Sequence, residues 1–197
     1  MPRWIASLLA LLGLGGCAGQ GVFYQDTYTP AGIPNFHVFA PGMYRTGVPP
    51  SQAAWNELRA LVEVPGRPVT KIVLHDASEG DESPATAFGW NVVTIPLVPE
   101  ADRPLTVFEL PDRDDVHQAV QTILDAHARG DVVVWGCQHD RERGGLISAL
   151  VGIALLHWTD DYAWQYMLDT GSRIEVTPGL LGFWLELTAK VRLRAQP

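Results

Sequence analysis

Apolar residues in this chain follow two different periods. Continuous runs at 71–74, 92–97 and 131–135 have the character of strands buried on both faces. Shorter strands are expected at 35–39 and 43–45, around the turn Ala40-Pro41-Gly42. Between the strands, apolar residues recur every three or four positions. Ser51 is placed to cap a helix over 52–64 with Ala54, Leu58, Leu61 and Val62 on its apolar face. The spacing predicts a second helix over 114–128, with Val116, Val120, Ile123 and Leu124 inward and Gly130 ending it. Three apolar helices follow at 146–157, 160–168 and 180–192. A polar loop fills 75–83, and a loop rich in Pro, Asp and Glu spans 98–111 beyond the strand that Pro96 closes. Continuous apolar strands between helices predict an α/β fold of three layers. A central, mostly parallel sheet is flanked by helices, with 131–135 as its central strand.

The N-terminus has a different pattern. Met1-Pro2-Arg3 supplies a positive start, and the apolar run 4–14 is too short for a comfortable bilayer span. It closes at Leu14-Gly15-Gly16-Cys17, the pattern of a secretory signal peptide, and these four residues resemble a bacterial lipobox. The resemblance implies a signal peptide over 1–16 and acyl chains on Cys17, which anchor a protein stably when several are attached. The other reading is an uncleaved anchor helix. Residues 17–34, rich in Gly, Thr and Pro, then form a tether, and 35–197 the domain. The protein is expected in a bacterial cell envelope, lipid-anchored and periplasm-facing. Ala18, by the same resemblance, favours the outer membrane.

Of the chain's 197 residues, about 180 remain after that segment, enough for one domain. The formal net charge of −8 excludes broad nucleic-acid binding, so any attraction for phosphate must be local. Of two cysteines, Cys17 is assigned to lipid, which leaves Cys137 without an intramolecular disulfide partner in an oxidising compartment. It is either a reactive thiol or a buried inert one.

Position favours reactivity. Cys137 follows the strand 131–135 and Gly136, and Arg143 stands beyond five intervening residues, just before a predicted helix. Loop N–H groups and a helix N-terminus attract a dianion, and the same field lowers the pKa of a thiol. A guanidinium fork grips two phosphate oxygens at once. Gln138, His139, Asp140, Arg141, Glu142 and Gly144 complete the expected phosphate-binding loop. His139 could face the substrate or the exterior.

This segment resembles the signature loop of the cysteine-dependent protein tyrosine and dual-specificity phosphatases, His-Cys-x-x-Gly-x-x-Arg-Thr/Ser-Gly. Met43-Tyr44-Arg45-Thr46-Gly47-Val48-Pro49-Pro50 resembles the entry segment of bacterial and fungal members, and residues 162–168 the helix after the loop. Three positions depart: Gly136 replaces the His, Asp140 the loop Gly, and Gly144 the hydroxyl residue. The first loss removes support for the thiolate, and the last removes a donor that helps it leave. An inward Asp140 about 4–5 Å from a phosphate would cost on the order of 3 kcal/mol. Turned outward against Arg141 it would cost little, and aspartate tolerates the left-handed backbone such a loop needs.

The resemblance implies a phosphoester hydrolase with Cys137 as nucleophile, Arg143 as oxyanion clamp and an acid on the 98–111 loop. Asp102 is the first choice for that acid, Glu100 the second and Asp112 the third. No cofactor or metal is expected; a metal site from Cys137, His139 and Asp140 is the remote alternative. The partners would be a phosphorylated substrate and, through Cys17, a membrane. The competing reading is an inactive pseudophosphatase serving as a binding or structural module of the envelope.

Overall fold

The computed structural model describes residues 28–97, 111–169, 184 and 186–189. Five strands form one sheet: β1 (His37–Ala40), β2 (Met43–Arg45), β3 (Val69–Val73), β4 (Asn91–Thr94) and β5 (Val132–Gly136), in the order β1-β2-β5-β3-β4. β1 and β2 are antiparallel, and every other neighbouring pair is parallel. β5 lies at the centre, as its unbroken apolar run predicts.

Alternation along the strands sorts the core into two layers. Val132 and Val134 face one side, against Ala54, Trp55, Leu58 and Val62 of α1 (Gln52–Val62). The short α2 (Ser83–Ala87) adds Ala85 to that layer. Val133, Trp135, Ile72 and Met43 face the other side. There they meet α3 (Arg113–Ala128), α4 (Glu142–Leu156) and α5 (Asp160–Asp169), with Trp184 and Leu187 from the last described helical residues. Both faces are thus covered, which buries the sheet's backbone polarity within its own ladder.

Local chemistry sets the helix ends. Ser51 accepts the Ala54 N–H at 3.2 Å, as a capping serine should. Asp112 caps α3 by accepting the N–H groups of Asp114 and Asp115. Three expectations need correction. α1 stops at Val62, and Trp55 rather than the exposed Leu61 completes its buried face. α2, started by Ser83-Pro84, takes the last residue of the expected loop 75–83 and a stretch for which no element was expected. α4 begins at Glu142, not at 146. Its Gly144-Gly145 pair lacks helix propensity, yet the Ser148 hydroxyl donates to Gly144 O at 2.6 Å and accepts the Trp135 indole N–H at 3.0 Å. Packing against β5 overrides propensity there.

Candidate active site

β5 ends at Gly136, and Cys137 continues its alternation into the α3–α5 layer. Residues 137–141 make the loop, and α4 starts at once behind them. The segment after β2 runs alongside as a backbone cradle. Thr46 N–H donates to Trp135 O at 3.0 Å, and Val48 N–H to Gln138 O at 3.0 Å. Asn35 Nδ2 holds His139 O at 2.6 Å. The cradle leaves no room at residue 136: a Cβ there would lie 1.7 Å from Thr46 O. Glycine at this position is a steric requirement of the close approach between β2 and β5.

Asp140 turns inward. Its backbone takes φ +53°, the left-handed geometry aspartate tolerates, and its side chain is fully buried. Arg45, also fully buried, donates from Nε to Asp140 Oδ2 at 2.6 Å and from a terminal nitrogen to Asp140 O at 2.5 Å. The guanidinium lies 5.8 Å from the Tyr166 ring centroid. Arg45 thus offsets part of the inward carboxylate's charge, and the remainder still acts on Cys137. Asp140 Oδ1 fills the volume beside Gly144, where a Cβ would fall 1.8 Å from it. The departures at 140 and 144 are therefore one packing solution, and Gly136 answers the separate approach of Thr46 O.

Arg143 is already gripping an anion. Its two terminal nitrogens donate to Glu79 Oε2 at 2.6 Å and Oε1 at 2.5 Å, a bidentate fork, and one also reaches Leu74 O at 3.3 Å. Glu79 belongs to the polar loop after β3, braced by His75, whose ring contacts Asp76 O at 2.7 Å and Glu82 Oε1 at 3.0 Å. Hydrogen bonds from Arg143, together with its charge, hold the Glu79 carboxyl below its usual range despite partial burial. The thiol of Cys137 is buried beside Arg143 and receives the N–H groups of Gly144 and Arg141. Burial first, and the Asp140 charge second, nevertheless push it above its ordinary range. The expected lowering is thus overturned in this conformation: desolvation and the Asp140 charge outweigh the pull of Arg143 and the loop N–H groups. A cavity of ≈ 510 Å³ lies against the loop after β3, lined by residues including Val73, His75, Asp76, Ser78, Glu82 and Thr94, but not by the thiol.

The remaining expectations divide. Gln138, Arg141, Glu142 and Gly144 lie in or directly behind the loop, and the His139 side chain is exposed. Cys137 and Asp140 are buried while His139 is not, so the structure does not assemble the remote metal site; the described residues contain no cluster of three or more such ligands. Asp102, Glu100 and Cys17 lie outside the described residues. Asp112 is committed to capping α3, which accounts for its carboxylate. Sequence reasoning missed Arg45 and Glu79 as partners. The signals were present: a buried aspartate in an anion loop needs a cation, and the loop 75–83 is acidic beside a predicted arginine clamp.

No family model matches the chain, and no curated protein matches it in sequence. Solved structures do match it. PTPMT1, in complex with PI(5)P, superposes with a TM-score of 0.60 at 17% identity, over 81% of this chain and 98% of its own. The core catalytic domain of the PP-IP phosphatase Siw14 from S. cerevisiae, in complex with citrate, gives 0.57 at 13% identity, over 87% and 98%. Tk-PTP in its active form gives 0.59 at 13% identity, over 80% and 98%. These neighbours have the fold of the cysteine-dependent tyrosine and dual-specificity phosphatases, and this chain shares it.

Proposed function

We propose that the protein is a cysteine-dependent phosphoester hydrolase, held at a bacterial envelope membrane by lipid on Cys17. One observation carries the reading. Arg143 holds two carboxylate oxygens in a bidentate fork beside a thiol, at the carboxyl end of the central strand and the start of α4. A fork that accepts one planar pair of anionic oxygens has the chemistry to accept two oxygens of a phosphoryl group in their place.

The reaction begins with displacement of Glu79 from Arg143. Cys137 Sγ, as thiolate, attacks phosphorus; the bond from phosphorus to the ester oxygen breaks, and that oxygen leaves with a proton from a carboxylic acid. Asp102 is the proposed acid, with Glu100 second. Arg143 and the loop N–H groups stabilise the charge on the equatorial oxygens. Water then attacks phosphorus, the sulfur leaves as thiolate and inorganic phosphate departs. The acidic residues around the fork, Asp76 and Glu79 among them, favour a singly phosphorylated ester over a polyphosphate. Phosphotyrosine and small monophosphates both fit that description.

A second reading, an inactive binding module, draws on the buried thiol and the occupied arginine. Turnover of p-nitrophenyl phosphate and a phosphotyrosine peptide by the detergent-solubilised full chain separates the two. The hydrolase reading expects turnover that falls to background in Cys137→Ser. Equal rates in both proteins, or none in a folded wild type, leave the binding module. Mass spectrometry of the envelope protein should show an acylated fragment beginning at Cys17, and an intact Met1 terminus rejects the anchor.

A further inference from the structure

Asp140 Oδ1 is fully buried and has no hydrogen-bond partner among the described residues. Its sister oxygen is taken by Arg45. Oδ1 lies against Gly144, where a Cβ would sit 1.8 Å away, and 3.4 Å from a Cβ built at Gly136. Those two glycines frame the thiol: Gly136 precedes Cys137 in the chain, and the Gly144 N–H donates to its sulfur. A buried, ionised carboxylate oxygen without a donor is costly, and protonation removes the charge that burial penalises. The charged and titratable groups around it come from every neighbouring element. Arg45 reaches it from β2, with Tyr166 of α5 and His37 of β1 behind. Lys71 acts from β3 and Cys137 from the loop itself, with Arg143 at the start of α4 acting on that thiol.

We propose that Asp140 is a positioning residue whose proton switches the loop between an anion-accepting and an anion-repelling state. With Oδ1 protonated, the Arg45 charge is uncompensated, Cys137 ionises more readily and an oxyanion is welcomed. With Asp140 ionised, both are opposed. The proposal rests on reading the loop as an oxyanion site around a nucleophilic thiol. Burial raises the Asp140 carboxyl to about 6, against the pull of Arg45 and Lys71, so the switch works between mildly acidic and neutral pH. Thiol and carboxyl then lose their protons as a coupled pair.

The test uses the full chain in detergent, with iodoacetamide as the thiol probe and sulfate, a dianion throughout this pH range, as the anion. In wild type, sulfate protection of Cys137 should weaken by about tenfold as pH rises through the Asp140 transition, a factor equal to one unit of coupling. Asp140→Asn keeps an acceptor for Arg45 and removes the charge. It should abolish that pH dependence and speed alkylation at pH 7 by about tenfold or more. Asp140→Gly, which suits the positive φ, is read the same way should the asparagine variant fold poorly. Without any substitution, calorimetry in two buffers should show wild type taking up a proton when sulfate binds near pH 6. Unchanged pH dependence in either folded variant, slower alkylation in both, or sulfate binding without proton uptake overturns the proposal. The linkage present without phosphoester turnover would reject the hydrolase reading and keep this one; Cys137-dependent turnover without the linkage would do the reverse.

Discussion

The loop is held by two arginine–carboxylate pairs that share their chemistry and differ in burial. Arg45–Asp140 is closed to solvent on both sides, at 0% and 0% side-chain exposure; Arg143–Glu79 is partly open, at 22% and 26%. In the first, neither partner can be replaced by water, so breaking it strands a buried charge. The pair behaves as part of the fold, fixing the left-handed turn at Asp140 and the path of the loop. In the second, each partner can be rehydrated or exchanged, so its net worth is small and a competing anion can take the carboxylate's place. Burial separates a structural ion pair from one suited to ligand exchange.

Substitutions sharpen this contrast, beginning with the buried pair. Arg45→Met should destabilise the domain by about 3–5 kcal/mol, measured by urea unfolding, because Asp140 is left buried and unpaired. A loss under about 1 kcal/mol would show the pair to be dispensable and erase the difference.

Next comes the space the carboxyl occupies. Gly144→Ser alone should cost about 2 kcal/mol, since its Cβ would overlap Asp140 Oδ1. In an Asp140→Gly background the same serine should be tolerated, giving a coupling of about 1–3 kcal/mol in a double-mutant cycle. Additive effects would mean that the two positions do not share one volume.

The smallest effect on stability is expected at the open pair. Glu79→Gln should change unfolding free energy by less than about 1 kcal/mol. It should tighten vanadate binding about tenfold by freeing the Arg143 fork, roughly 1.4 kcal/mol of binding. Acid will not mimic that substitution in the range where Asp140 titrates. The Glu79 carboxyl sits below its usual range, so the stability it contributes is present above its unfolded value and lost only as pH falls through the lower folded one. Weaker vanadate binding in the variant would reverse the assignment and make Glu79 a support of the arginine.

Sequence alone determined the layers and the chemistry on offer. Continuous apolar runs and a spacing of three to four specify which faces must be buried, and those are local properties of the chain. They place β5 centrally and put Cys137 and Arg143 at the two ends of a strand-to-helix loop. Ser51 and the turn at 40–42 needed no tertiary context either. The direction of the Asp140 side chain was different. Inward and outward were both open in sequence, because the choice depends on Arg45, which is 95 residues away along the chain and a neighbour only once β2 pairs with β5. The same is true of Glu79, 64 residues from the arginine it occupies. Gly136 and Gly144 read as losses in a linear motif. In three dimensions one makes room for Thr46 O and the other for a carboxyl oxygen. Local patterning sets what a residue can do; which groups it meets, and how far water is excluded from them, is settled only when distant strands close on one another.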